Sequence, residues 1–399
     1  MKITHVVIGM AATLAPIVPA AASPQAAEAA FDREAWLRDY AGLKEAIARG
    51  YANLDWIVAR RHLDLPALDR ATTERLQAAT SVKQAVAAIS AFTEAFGDNH
   101  LRGAQGPAPE AALRNAAAEA AEADALEAIG ELRSQDCDAL GYEDAPRLGA
   151  FDPADLPGWQ RVASPYFTAG TSGRSGVIRI HSFDETAYLA ACRASWQPAR
   201  TPRETQLATR EALQAELSRL AAALRGAGAE TLAIDLTGNG GGSEWSEDAA
   251  GLFSDRELTR PTPRLIVEHC DRSGVWRGES VCSNLSPPGG IDRLAGKAAW
   301  AGPVVVLVGN RTASAAEDFA YWLRGSGVTR LLGERTFGAG CGYMDGGRAY
   351  QFRAIDGHVM MPNCSRYTFE GINQVEGLEP DVTWDWSGGP PDLDATLEP

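Results

Sequence analysis

Strands and helices alternate along the C-terminal half of this chain, and that alternation limits the folds open to it more than any other feature. GVIRI at 176–180, TLAIDL at 231–236, GPVVVLVG at 302–309 and TRLLGE at 329–334 are short, apolar runs, and each predicts a strand. Between them lie helical patterns. One spans 203–224, with Leu213, Leu217, Leu220 and Leu224 on one face; another begins at Ser314, with Phe319, Trp322 and Leu323 recurring before Gly325 and Gly327 stop it. Strands separated by helices pair in parallel through crossovers, so this region predicts an α/β core of βαβ units.

Two strand-to-helix turns in that core can carry chemistry. TLAIDL runs into Thr237-Gly238-Asn239-Gly240-Gly241-Gly242, and a helical pattern resumes over 246–253. Three consecutive glycines let the backbone approach a bound atom and turn N–H groups toward it. The loop lacks the Gly-Lys-Ser/Thr ending of a P-loop and the spacing of a dinucleotide fingerprint, which leaves an oxyanion hole or a plain tight turn. GPVVVLVG hands over to its helix at Ser314, where a hydroxyl stands beside the free N–H groups of the first helical turn. A nucleophile fits there. So does an N-cap, with Glu317 completing a capping box, and the two roles are compatible.

At 399 residues and 45% hydrophobic content, the chain can bury a large core and fill two domains. Lys2, an apolar stretch over 6–18 and Ala20-Ala21-Ala22 have the layout of a secretory signal peptide over residues 1–22. No other run is long and apolar enough to span a bilayer, so the mature protein is expected to be periplasmic or secreted, without an integral membrane span. The formal charge is −15, and losing Lys2 makes it one unit more negative, which argues against nucleic acid as a partner. The six cysteines are Cys137, Cys192, Cys270, Cys282, Cys341 and Cys364, an even number with no CxxC pair. In an exported chain they predict three disulfides rather than a metal site. Sequence does not fix their connectivity; proximity along the chain suggests Cys270–Cys282 and Cys341–Cys364, leaving Cys137–Cys192.

Residues 31–103 read as a helical domain, with apolar residues at three- and four-residue spacing and charges between them. It ends in the polar turn Gly97-Asp98-Asn99-His100, where a lone histidine is ordinarily just solvated. Residues 104–171 read as an irregular connector with an Ala- and Glu-rich stretch at 108–132, and 101–170 carries no clear Gly-x-Gly signature of a PDZ domain. Trp384 and Trp386 alternate with polar neighbours as in an exposed edge strand, and the Pro- and Gly-rich segment 387–399 predicts a frayed tail. Asp235 and Asn239 read as braces of the glycine loop, and His62, His181, His269 and His358 as structural or surface residues.

Five stretches, GVIRIHSF (176–183), AIDLTGNGGG (233–242), GNRTASAAEDFA (309–320), LLGERTFGAG (331–340) and EGLEPDV (376–382), stand in a shared order. Through them the chain resembles the tail-specific (carboxyl-terminal processing) serine protease family over 172–386, including its tricorn-like and retinoid-binding-protein-like branches. The resemblance implies a crotonase-like (ClpP/crotonase-type) α/β catalytic core preceded by the helical domain. It also implies a serine peptidase acting on peptide or protein substrates, with no cofactor and no metal. Carried over residue by residue, Ser314 takes the nucleophile position, and the N–H groups of Ala315 and Gly241, with Gly242 as the fallback, look like the oxyanion hole. The bacterial processing proteases place a lysine base in TFGKG, but here that position is Ala339, which excludes a Ser–Lys dyad there. The tricorn-like branch draws a histidine from a turn that Asp98-Asn99-His100 matches, so His100 is the implied base. The glutamate that orients it falls by count on Gln374, with Glu376 as the alternative. A non-catalytic binding protein for an apolar ligand or peptide uses the same fold, and an esterase needs the same machinery.

Overall fold

The structure is a computed structural model that describes residues 31–106 and 136–396. The expected signal peptide and the 108–132 stretch lie outside the described residues. Helices α1 (Arg33–Gly50), α2 (Leu54–Arg61), α3 (Leu65–Ala78) and α4 (Val82–Glu94) come first, then strand β1 (Arg102–Gln105). Asp32, Asp64 and Ser81 cap α1, α3 and α4 by accepting from the N–H groups of Ala35, Ala67 and Gln84. The chain continues through β2 (Gln160–Val162), β3 (Thr168–Ser172), β4 (Ser175–Arg179), α5 (Leu189–Ser195), α6 (Pro202–Gly226), β5 (Thr231–Asp235) and α7 (Trp245–Leu252). Short strands β6 (Leu258–Pro261), β7 (Arg264–Leu265) and β8 (Ile291–Leu294) lead to β9 (Val304–Val308), α8 (Ala315–Gly325) and β10 (Thr329–Gly333). Last come β11 (Arg348–Gln351), β12 (Gly357–Met361), β13 (Cys364–Ser365), β14 (Val382–Thr383) and the short helix α9 (Leu393–Thr396).

The central sheet has seven strands in the order β14-β10-β9-β5-β4-β3-β2. Its first five are parallel, as the alternation of strands and helices predicts, and β3 and β2 add antiparallel to β4. Period-two alternation sends Ile178, Ile234, Val306 and Leu331 to the face covered by α6, α7 and α8. Val177, Ala233, Val305, Leu307 and Leu332 go to the other face, under Phe151, Leu156 and Trp386. The sheet therefore starts inside what reads in sequence as connector, because β2 and β3 belong to it.

The helical region is not closed by helices alone. Trp36, Leu43 and Ile47 of α1 share one core with Phe92 and Phe96, but also with Phe352, Val359, Met361 and Val375 from the far end of the chain. β1 pairs antiparallel with β12, which pairs with β11, so residues 102–105 stitch the two halves together directly after His100. Two further expectations change. Trp386 is buried rather than on an exposed edge: its ring stacks on Phe151 and its indole N–H donates to the Val308 carbonyl at 2.9 Å. The tail is docked at least to Thr396, since Leu393 is buried and Asp394 accepts from the Arg174 N–H and the Ser175 hydroxyl, each at 2.8 Å. An apolar anchor and a capping carboxylate outweigh the Pro- and Gly-rich composition. The three disulfides pair as Cys137–Cys192, Cys270–Cys282 and Cys341–Cys364.

Candidate active site

The C-terminal ends of β5 and β9 lie side by side, and the turns leaving them are sewn together. The Thr312 hydroxyl donates to the Leu236 carbonyl at 2.8 Å and accepts from the Gly309 N–H at 2.9 Å, while the Ala313 N–H donates to the Asn239 carbonyl at 3.0 Å. This forces a sharp reversal at Ser314, which sits at φ 55°, ψ −116°, a conformation that ordinarily favours glycine. Such strain lifts the half-buried serine out of the strand and sets it at the head of α8. Glu317, one turn on, accepts from the Ser314 N–H at 2.9 Å, one half of the expected capping box.

Glu317 does much more than cap. Its fully buried carboxylate also accepts from the Gly338 and Ala339 N–H groups, each at 2.9 Å, and from the Thr336 hydroxyl. Burial pushes this carboxyl above its usual range, and the four donors oppose the shift. One carboxylate thus clamps the TFGAG segment to the serine turn.

Gly241 packs directly on Ser314: a Cβ there would meet the Ser314 Cβ and the Ala313 carbonyl at 2.8 Å, and the residue has φ 104°. Its N–H, however, donates to the Asn239 Oδ1 at 2.8 Å, so this geometry does not leave it free for an oxyanion. The Gly242 N–H is not engaged in this way. Phe183 bridges to Gly242 in parallel fashion, through its N–H to the Gly241 carbonyl and its carbonyl from the Ser243 N–H, which turns the Gly242 N–H to the opposite side. Ala315 supplies one of the orphan N–H groups of the first turn of α8. Asp235 and Asn239 brace the loop: Asp235 accepts from the Thr237 N–H at 2.9 Å and from Arg179 at 2.6 Å, and the Asn239 amide donates to Ile180 at 3.0 Å.

His100 enters from the other half of the chain. Its turn is built on Asp98, whose buried carboxylate accepts from the His100 N–H at 3.0 Å, the Tyr51 hydroxyl at 2.7 Å and the Asn53 amide at 2.9 Å. The imidazole Nδ1 lies 2.6 Å from the Ala339 carbonyl. A carbonyl only accepts, so Nδ1 carries the proton and Nε2 keeps its lone pair. Gly342 packs against the ring face, and Tyr343 sets its own ring edge-on at 5.1 Å and donates its hydroxyl to the His100 carbonyl. Burial holds the imidazole below its ordinary 6.5; the Arg102 and Arg366 charges push the same way, and Asp98 and the Ala339 carbonyl oppose them.

Neither residue expected to orient His100 touches it, because the Ala339 carbonyl has taken Nδ1. Gln374 is buried with its amide unpartnered. Glu376 faces the helical region, accepting from the Trp56 indole at 2.8 Å and Arg61 at 3.1 Å. Sequence reasoning missed Ala339, Gly342 and Tyr343. Every residue carries a carbonyl, so Ala339 had no signal; the positive φ of Gly342 is the kind of demand that glycine at that position could have announced. Among the described residues no cluster of three or more His, Cys, Asp or Glu is placed to hold a metal ion.

The chain is similar in structure to mature CPAF complexed with lactacystin, with a TM-score of 0.59 and 15% identity over 88% of this chain and 94% of that one. A second structure of mature CPAF gives a TM-score of 0.56 and 14% identity over 88% and 92%. At such identities the likeness speaks for the fold alone. No curated protein matches the chain. The model of peptidase family S41 matches residues 174–384, more than half of the chain and all five motifs from GVIRIHSF to EGLEPDV. The chain belongs to peptidase family S41 and is a serine peptidase.

Proposed function

We propose that this peptidase cleaves peptide bonds with Ser314 as nucleophile and His100 as general base, and that it works outside the cytoplasm. The observation that carries the reading is the relay through Glu317. It takes N–H groups from both Ser314 and Ala339, and the Ala339 carbonyl fixes the His100 ring with Nε2 unprotonated. Ser314 Oγ attacks the scissile carbonyl carbon while Nε2 takes its proton; the tetrahedral oxyanion is held by the Ala315 and Gly242 N–H groups. Collapse expels the amine, which receives the proton from His100, and water then resolves the acyl-enzyme by the same route. A backbone carbonyl replaces the carboxylate that usually orients the base.

Three disulfides and the signal-like start support export. Among the described residues no helix is long and apolar enough to cross a membrane. Hydrolysis of an unfolded protein and of a p-nitrophenyl ester by wild type, Ser314→Ala and His100→Ala tests the reading. Loss of roughly 10⁴- to 10⁶-fold in turnover on the protein substrate is expected in both variants. Undiminished proteolysis by Ser314→Ala would overturn it, and ester hydrolysis without proteolysis would make the protein an esterase.

A further inference from the structure

We infer that the Cys341–Cys364 disulfide is a positioning element of the His100 site, so that the oxidised chain is the active form and cleavage of this one bond disarms it. The inference rests on the reading of His100 as base. Everything that fixes the imidazole on the α/β side belongs to residues 339–343: the Ala339 carbonyl on Nδ1, the Gly342 backbone on the ring face, and Tyr343 on both the ring and the His100 carbonyl. Cys341 is the centre of that segment, and it is bonded to Cys364 at the start of β13.

β13 is itself anchored. Ser365 donates to the Asn53 amide oxygen, Asn53 donates to the Asp98 carboxylate, and Asp98 holds the His100 N–H. Arg366, next in line, bonds to the Gly340 carbonyl at 3.5 Å and lies 3.2 Å from Asp318 on α8. The disulfide therefore closes a ring in which the turn carrying His100 and the loop receiving it are both referred to one strand. Without it, the segment keeps the Glu317 clamp at Ala339 and a reciprocal Asn363–Met344 pair at 2.9 Å, which is exposed. Together with Arg366 on the Gly340 carbonyl and the Tyr343 hydroxyl on the His100 carbonyl, those ties hold the residues on either side and leave the Cys341–Gly342 backbone to shift against the ring.

Reduction by a dithiol proceeds by two thiol–disulfide exchanges. The Cys341 and Cys364 sulfurs each take an electron and a proton, and the dithiol leaves as its own disulfide. Cys341 is 9% exposed and Cys364 fully buried, so attack falls on Cys341.

The test compares Cys341→Ser/Cys364→Ser with Cys270→Ser/Cys282→Ser, a pair outside this ring. The first variant is expected to lose about tenfold or more in kcat with KM little changed, and to move the acid limb of its pH–rate profile upward as the imidazole hydrates. The second is expected to keep wild-type kcat and profile. Dithiothreitol titration of folded wild type, with the reduced bond mapped by alkylation, provides the same answer if the variant does not fold: activity should fall with the fraction of Cys341–Cys364 reduced and return on reoxidation. Wild-type kcat and pH profile in the variant, or full activity with this bond reduced, would overturn the inference. Full activity of His100→Ala would instead remove the reading on which it rests.

Discussion

At the scale of single residues, the site depends on atoms that side-chain chemistry does not advertise. Gly342 is the clearest case. It sits at φ 72°, and a Cβ would come within 2.7 Å of the His100 Cε1, so Gly342→Ala strains the backbone and displaces the ring together. A misplaced base is costly, and kcat/KM should drop about a hundredfold while the protein stays folded. Steady-state kinetics beside a thermal melt decides this; unchanged kcat/KM would mean the ring does not need its present seat. Ser314 was legible because a strand visibly hands over to a helix there. His100 became visible only through the resemblance, since nothing about one histidine in a polar turn distinguishes it. Gln374 was misplaced because counting back from Gly377 says nothing of which acceptor reaches Nδ1 first.

At the scale of elements, the parallel strands and their helices were readable from apolar periodicity, and the tight loop after β5 from three glycines. What the periodicity could not convey is how loops are held between elements. His181, just beyond β4, illustrates this: the residues around it bracket the glycine loop through Ile180 and Phe183, yet it stands among the histidines without a motif partner. Its ring is buried against Tyr188 at 4.5 Å, and neither nitrogen reaches a partner in hydrogen-bonding geometry, the Ala187 backbone being near enough only to oppose weakly the effect of burial. Burial first, then Arg147 and Arg179, push it down to about 4; Asp144 opposes them. The unfolded chain binds this proton from about pH 6.5 downward and the folded chain does not until about pH 4, so stability is lost across that window as pH falls. The contribution is about 3 kcal/mol at most. His181→Phe keeps the stacked ring and removes the titration, so it should lose less stability on acidification than wild type. Denaturant unfolding at neutral and acidic pH measures it, and parallel pH dependences in the two proteins would contradict the assignment.

At the scale of the whole molecule, the boundary drawn in sequence near residue 103 divides what folding joins. Arg61 donates to the Phe96 and Gly97 carbonyls, to the Val375 carbonyl and to Glu376, and Asn53 accepts from both Ser365 and Asn373. The proposed base, His100, and the proposed nucleophile, Ser314, are carried by the two parts of the chain that these contacts dock. Glu376 belongs to that docking and not to the orientation of the base. Glu376→Gln should therefore cost about 1–2 kcal/mol of stability and leave the pH dependence of kcat/KM where it was; a displaced acid limb would return Glu376 to the role sequence suggested for it.

The central claim is that Ser314 and His100 form one chemical unit across that junction, and the rate of fluorophosphonate labelling as a function of pH tests it most directly. A neutral imidazole is the active form, and burial holds its pKa below 6.5. The account predicts a single adduct, mapped to Ser314, whose formation rate rises with pH through one ionisation below 6.5 and is lost in His100→Ala. No adduct on the folded protein at any pH, or an unchanged rate and profile in His100→Ala, would contradict it.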